Sequence, residues 1–169
     1  IKADFEIPRG VILFEDPPLH DAHRALLARL FTPRRIAEIE PQVRAYCARS
    51  LDPLVGAERF DFIADLGAQM PMRVIGMLLG IPEADQEAVR DASDAALRTK
   101  PGEPMQPQED MIATGEAFAE YIDWRADHPS DDLMTELLQA EFEDETGTTR
   151  RLSRQEVLTY VNVIAGAGN

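Results

Sequence analysis

The sequence predicts an all-α fold with at most minor β structure, and three observations carry that expectation. Apolar residues recur at helical spacing through most of the 169 residues. Helix starts are marked by Thr32-Pro33 and by a Ser153-x-x-Glu156 capping box, and a helix stop by Gly80-Ile81-Pro82. A hydrophobic content of 44% supplies enough apolar surface for the core of a single domain of this length.

Residues 1–15 lack a clear period, although Gly10-Val11-Ile12-Leu13-Phe14 is a short apolar run suited to an edge strand or a pocket-lining loop. Asp16 is positioned to cap a helix whose first turn tolerates Pro17 and Pro18, because first-turn N–H groups have no partner anyway. From His20, the residues Arg24, Leu27 and Phe31 follow helical spacing, and Leu26 and Leu30 widen the apolar stripe. Thr32 as cap and Pro33 in the first position start another helix, with a restart expected at Pro41. Val43, Tyr46, Cys47, Leu51 and Leu54 supply the next buried face.

Residues 61–80 form the most apolar segment, read as a central helix kinked or restarted at Pro71 and closed by Gly80. Further helices are expected over 83–99, 108–127 and 131–142. A Pro-rich connection lies between the first two, and a polar loop follows over 143–151. The final helix has the firmest start, with Leu152 and Val157 placed to form a hydrophobic staple beside the capping box. It runs into Ala165-Gly166-Ala167-Gly168-Asn169, and so strong a start is expected to continue past four turns.

Composition narrows the function classes. Cys47 is the only cysteine, which excludes intrachain disulfides and CxxC metal sites. No apolar run reaches the roughly 18–20 residues needed to cross a bilayer, and the start has no signal-peptide layout, so a cytoplasmic location is expected. The net charge of −14 argues against non-specific nucleic-acid binding, which needs a basic face. That charge is unevenly spread. Residues 1–50 carry eight Lys/Arg against seven Asp/Glu, and residues 51–169 nine against twenty-four. The basic island Arg24, Arg29, Arg34, Arg35, Arg44 and Arg49 is either a solvated helical face or a docking patch for an acidic partner.

Two groups of residues point to chemistry. His20 and Arg24, spaced i, i+4, share a helix face and can hold a carboxylate or phosphate, although such pairs are also ordinary surface features. The glycine-rich turn at 165–168 costs roughly 1 kcal/mol per glycine against alanine in a helix. Close approach of a flat ligand would compensate, as would tight helix packing; fraying at a chain end is the third reading. Cys47, beside Tyr46 on an apolar face, is a small core residue rather than a nucleophile. His23 and His128 have no metal spacing and are expected on the solvated surface, while Trp124 and Met70, Met72 and Met77 are expected to pack. Among candidates for metal ligation there is none.

These same residues resemble a cytochrome P-450 of the soluble bacterial type. Asp16-Pro17-Pro18-x-His20-x-x-x-Arg24, then Phe31-Thr32-Pro33-Arg34-Arg35 and Glu40-Pro41, resembles the family's C-helix and the start of D. Pro71-x-x-Val74-Ile75-x-x-Leu78-Leu79-Gly80-Ile81-Pro82 resembles its E-helix and the turn into F, and Leu152-Ser153-x-x-Glu156 through Asn169 its I-helix. The match runs in order along nearly the whole chain.

The resemblance implies a partial P-450 fold, helices C to I, so that residues 1–169 form a single incomplete domain. It implies heme b as cofactor, held through its propionates by His20 and Arg24 and flanked by Ala165, Gly166 and Gly168. The iron-ligating cysteine and the acid–threonine pair that delivers protons to bound O2 would lie outside this sequence, so the chain alone is expected to be inactive. Leu13, Phe14, Leu97, Asn162, Gly166 and Asn169 would line the pocket for a small apolar substrate. Arg29, Arg34 and Arg35 would face a ferredoxin-type electron donor. The implied activity is a monooxygenase inserting one oxygen atom from O2. The rival reading is a non-catalytic acidic helical protein that binds a ligand or partner.

Overall fold

A computed structural model describes residues 9–97 and 109–167, with side chains over 9–91 and 118–167. A 3-10 turn at Ile12–Phe14 precedes α1 (Leu19–Leu30) and α2 (Pro33–Leu51). After a second 3-10 turn (Asp52–Leu54) and a π-helical turn (Ile63–Gly67) come α3 (Met70–Leu79), α4 (Gln86–Leu97), α5 (Glu109–Asp127) and α6 (Leu133–Gln139). The hairpin β1 (Glu141–Glu143) and β2 (Thr149–Arg151) leads into α7 (Arg154–Ala167). The two strands are antiparallel, with Phe142 opposite Arg150. The expected mainly helical class holds.

The core is built around α7. Six consecutive residues, Glu156 to Val161, are buried, which places every face of that stretch against protein. Phe118 and Ile122 of α5, Leu133 and Leu137 of α6, Met72 and Leu79 of α3, and Leu26 and Leu30 of α1 join Val157, Tyr160 and Val161 in one cluster. Each such side chain removed from water contributes about 1.5–3 kcal/mol, so this cluster dominates the stability of the fold.

The helix signals act as read at all three marked boundaries. Ser153 N donates to Glu156 Oε2 at 2.8 Å and Glu156 N donates to Ser153 Oγ at 3.2 Å, a reciprocal capping box. Leu152 and Val157 are both buried in the core beside it. Gly80 has φ 73°, and the Gly80 and Ile81 amides donate to Met77 O and Gly76 O at 3.2 and 2.8 Å, closing α3. Thr32 Oγ1 accepts from Arg35 N at 3.3 Å, with Pro33 in the first turn.

Other expectations are corrected. The Gly10–Phe14 run is neither strand nor plain loop, since Ile12–Phe14 forms a 3-10 turn. Asp16 does not cap α1; Pro18 holds the cap position without a side-chain bond, because consecutive prolines remove an N–H that an Asp16 carboxylate would need. Pro41 does not restart a helix but sits inside the continuous α2. There Ala37, whose carbonyl loses its partner, is exposed and can be hydrated. The 61–80 segment is divided, with α3 beginning at Met70 and Phe62 and Ile63 exposed; the central helix is α7. The expected helix over 131–142 stops at Gln139, and the 143–151 loop is largely a hairpin. The Pro-rich connection at 100–107 lies outside the described residues.

Candidate functional site

Helix α1 carries two different faces. His23, Leu26 and Leu30 form the buried one, whereas Arg24 is exposed and the His20 side chain is partly so. His20 engages the neighbouring Asp21 through Nδ1 at 3.2 Å, and its Nε2 has no partner among the described residues. Arg24 likewise has no carboxylate partner among the described residues. Both donors therefore stand ready for an anion from outside the described chain.

His23 overturns its sequence reading. It is fully buried, not solvated, and its Nδ1 donates to Glu15 Oε2 at 2.7 Å. The other Glu15 oxygen accepts from Gly10 N at 2.7 Å. The His23 ring meets Tyr160 of α7 edge-on, centroids 5.5 Å apart, and Phe142 of β1 at 5.7 Å. Burial first, then the Glu15 and Glu156 carboxylates, push the Tyr160 hydroxyl above its ordinary range, so it stays protonated. The spacing 23, 26, 30 follows the apolar stripe and could have placed His23 inside; nothing local in the sequence announces Glu15 as its partner.

The His23–Tyr160 contact holds α1 against α7. Six residues beyond Tyr160, about 9 Å along the helix axis, lies the glycine turn. Ala165 is buried, yet a Cβ added at Gly166 would meet no atom within 4 Å. Tight helix packing within the described chain thus gives no reason for glycine at that position. Gly168 and Asn169 lie outside the described residues.

The remaining candidates are scattered. Leu13 and Phe14 project from the 3-10 turn, 76% and 67% exposed. Asn162 is half-buried and donates to Leu158 O of its own helix at 2.9 Å. Leu97 ends α4, its side chain outside the described ones. Arg34 pairs with Glu38 on the surface, Arg35 with Glu136 of α6, and Arg29 donates to Glu141 O of β1 at 2.8 Å. Cys47 is half-buried, its Sγ 3.8 Å from Met70 Sδ. Trp124 does not pack in the core; it is exposed, stacked on His128 at 4.5 Å with the Arg125 guanidinium over its ring. Two surface hollows, near Phe60–Ile63 and between Gln69 and Arg90, include none of the residues singled out as candidates. No group of His, Cys, Asp and Glu among the described residues could hold a metal, and no described helix is long and apolar enough to cross a membrane.

Against known proteins, the chain is 36% identical over 161 residues to the Mycobacterium tuberculosis protein that bears the name cytochrome P450 123, covering 94% of this chain and 39% of that one. It is 32% identical to cytochrome P450 CYP107DY1 of Priestia megaterium, with 94% and 38% covered. Among solved structures, a mutant of P450 EryK in complex with erythromycin B superposes with a TM-score of 0.79 at 27% identity, over 98% of this chain and 42% of that one. The chain belongs to the cytochrome P450 family. No family model matches it. It spans about 40% of the length of the P450 relatives it matches. The P450 PksS of Bacillus subtilis, with a TM-score of 0.79 and 27% identity, gives the same partial overlap.

The P450 family implies a heme cofactor, and the residues present fit one by type. The unpartnered His20 Nε2 and the Arg24 guanidinium, with no carboxylate partner among the described residues, suit its carboxylates, and the open turn at Gly166 leaves α7 without a side chain where a flat ring could approach.

Proposed function

We propose that residues 1–169 are part of a single larger domain, a heme-thiolate monooxygenase that transfers one oxygen atom from O2 to an apolar small molecule. Bound heme b would supply the oxygen-activating chemistry, one atom going to substrate and the other to water with two electrons and two protons consumed. This chain's contribution is one wall of the pocket. His20 and Arg24 donate to the two propionates, Ala165 and Gly166 keep α7 slim beside the ring, and Gly168, outside the described residues, belongs to the same cofactor-binding turn. Leu13, Phe14, Leu97, Asn162 and Asn169 line the substrate side. Arg34, with Arg29 and Arg35 beside it anchoring its helices, faces a ferredoxin-type donor, and the location is cytoplasmic. The iron ligand is a cysteine outside this chain, since Cys47 faces Met70 from α2.

The observation that carries this reading is the open turn at Gly166, close behind a stretch of α7, Glu156–Val161, that is buried on every face. In the full-length protein, the reduced carbon monoxide complex should show the absorption band of thiolate-ligated heme. Replacing His20 and Arg24 together by Ala removes two charge-assisted hydrogen bonds and should weaken heme retention at least about tenfold. Heme occupancy unchanged in the double variant would return the pair to the status of surface residues.

A further inference from the structure

The Glu15 carboxylate is 6% exposed, deeper than an unpaired acid tolerates, and both of its oxygens are used. Oε1 accepts from the Gly10 amide and Oε2 from His23 Nδ1, each at 2.7 Å. One side chain therefore joins the first residue of the 10–15 loop to α1. Gly10 is itself seated on α7: it is buried, and a Cβ there would stand 3.3 Å from Thr159 Cγ2. Its φ of +96° allows the chain to turn at that point, a conformation that favours glycine. Between these anchors Phe14 N donates to Val11 O at 2.9 Å, and Leu13 and Phe14 project outward. The loop has a fixed base and an apolar tip.

We propose that Glu15 is a positioning residue: by clamping the base of this loop between α1 and α7, it sets where Leu13 and Phe14 stand and so how tightly the pocket holds a bulky apolar ligand. This rests on the monooxygenase reading, in which those two side chains line the substrate side. The clamp depends on shape rather than on charge. A glutamine at position 15 can keep its carbonyl oxygen on the Gly10 amide and turn its NH2 toward His23, whose ring accepts in the other tautomer. An alanine can do neither.

The test uses the full-length protein with heme loaded, and two azole probes read from the heme absorption band. Imidazole is small, whereas 4-phenylimidazole adds a bulky apolar ring. In Glu15→Ala the Kd for 4-phenylimidazole should rise about tenfold, the scale of two lost ordinary hydrogen bonds, with imidazole affinity and heme content unchanged. Amide exchange at residues 12–14 should accelerate at least about tenfold in the same variant. Glu15→Gln should restore both readouts to within about twofold. Wild-type values in Glu15→Ala, faster exchange without a change in 4-phenylimidazole affinity, or failure of Glu15→Gln to rescue would each overturn the proposal. Amide exchange needs no heme, so a protein that takes up none would defeat the monooxygenase reading while the clamp itself was still measured.

Discussion

At the scale of single residues, Gly80 is fixed twice over. Its φ of 73° lies in the left-handed region, and a Cβ would overlap the Asp132 carboxylate and crowd the Arg125 guanidinium. Those two side chains form a buried ion pair at 2.8 Å, and Arg125 also donates to Gly80 O at 3.0 Å, tying the end of α3 to the start of α6. Gly80→Ala should lower unfolding stability by about 2 kcal/mol, from left-handed strain plus displacement of the pair, read as a drop in the urea midpoint. A midpoint unchanged within error would show that the turn relaxes freely. Gly80 was legible in the sequence because Gly-Ile-Pro names its own backbone geometry. Glu15 and His23 were not, since their contact joins a loop to a helix across eight residues and neither carries a local signal. The fit of His20 and Arg24 to an anion was legible as spacing alone; what the fold adds is that, among the described residues, His20 Nε2 has no partner and Arg24 has no carboxylate partner.

At the scale of elements, the hairpin and α7 share one electrostatic knot. Arg150 of β2 donates to both Glu156 oxygens at 2.8 Å and to Asp144 Oδ2 at 3.1 Å, with Phe142 beneath its guanidinium. The Arg150 bonds, with Ser153 assisting, hold the Glu156 carboxyl down to about 2. Thr146, then Thr148 and Arg150, hold Asp144 to about 2. Both folded values lie below the ordinary carboxylate range near 4. Their contribution is therefore complete above about pH 4.5 and is lost as pH falls toward 2. Urea midpoints should decline through that window. Glu156→Gln should be less stable at pH 7 by roughly 1–2 kcal/mol and should show a shallower acid decline. Equal slopes in the two proteins would remove Glu156 from the acid response. The capping box that places Glu156 was readable from four residues. The hairpin was not, because three-residue strands of Glu, Phe, Thr and Arg present no sustained alternation. Pro41 misled for a related reason: a proline signals a break only where the freed carbonyl has no water to turn to.

At the scale of the whole molecule, the charge asymmetry seen in composition separates into two kinds of arginine. Arg29 reaches Glu141 O and Arg35 pairs with Glu136, so both bind the N-terminal helices to the hairpin and α6. Arg34 is 90% exposed and among the described residues meets only Glu38 one turn away, a screened pair worth about 0.3–0.5 kcal/mol. Its field extends into solvent, whereas that of Arg35 is spent internally. If the basic island receives an acidic donor, the two should therefore part company. In the full-length protein, Arg34→Glu should slow heme reduction by a ferredoxin several-fold at low ionic strength. The deficit should shrink as salt rises past ~0.1 M, where the Debye length falls to about 10 Å, and stability should be unchanged. Arg35→Glu should instead cost about 1–2 kcal/mol in urea unfolding, because it sets two carboxylates face to face. Stopped-flow reduction at two ionic strengths separates the cases. Identical salt dependence in wild type and Arg34→Glu would take Arg34 off the docking face and leave the island as a solvated helix surface.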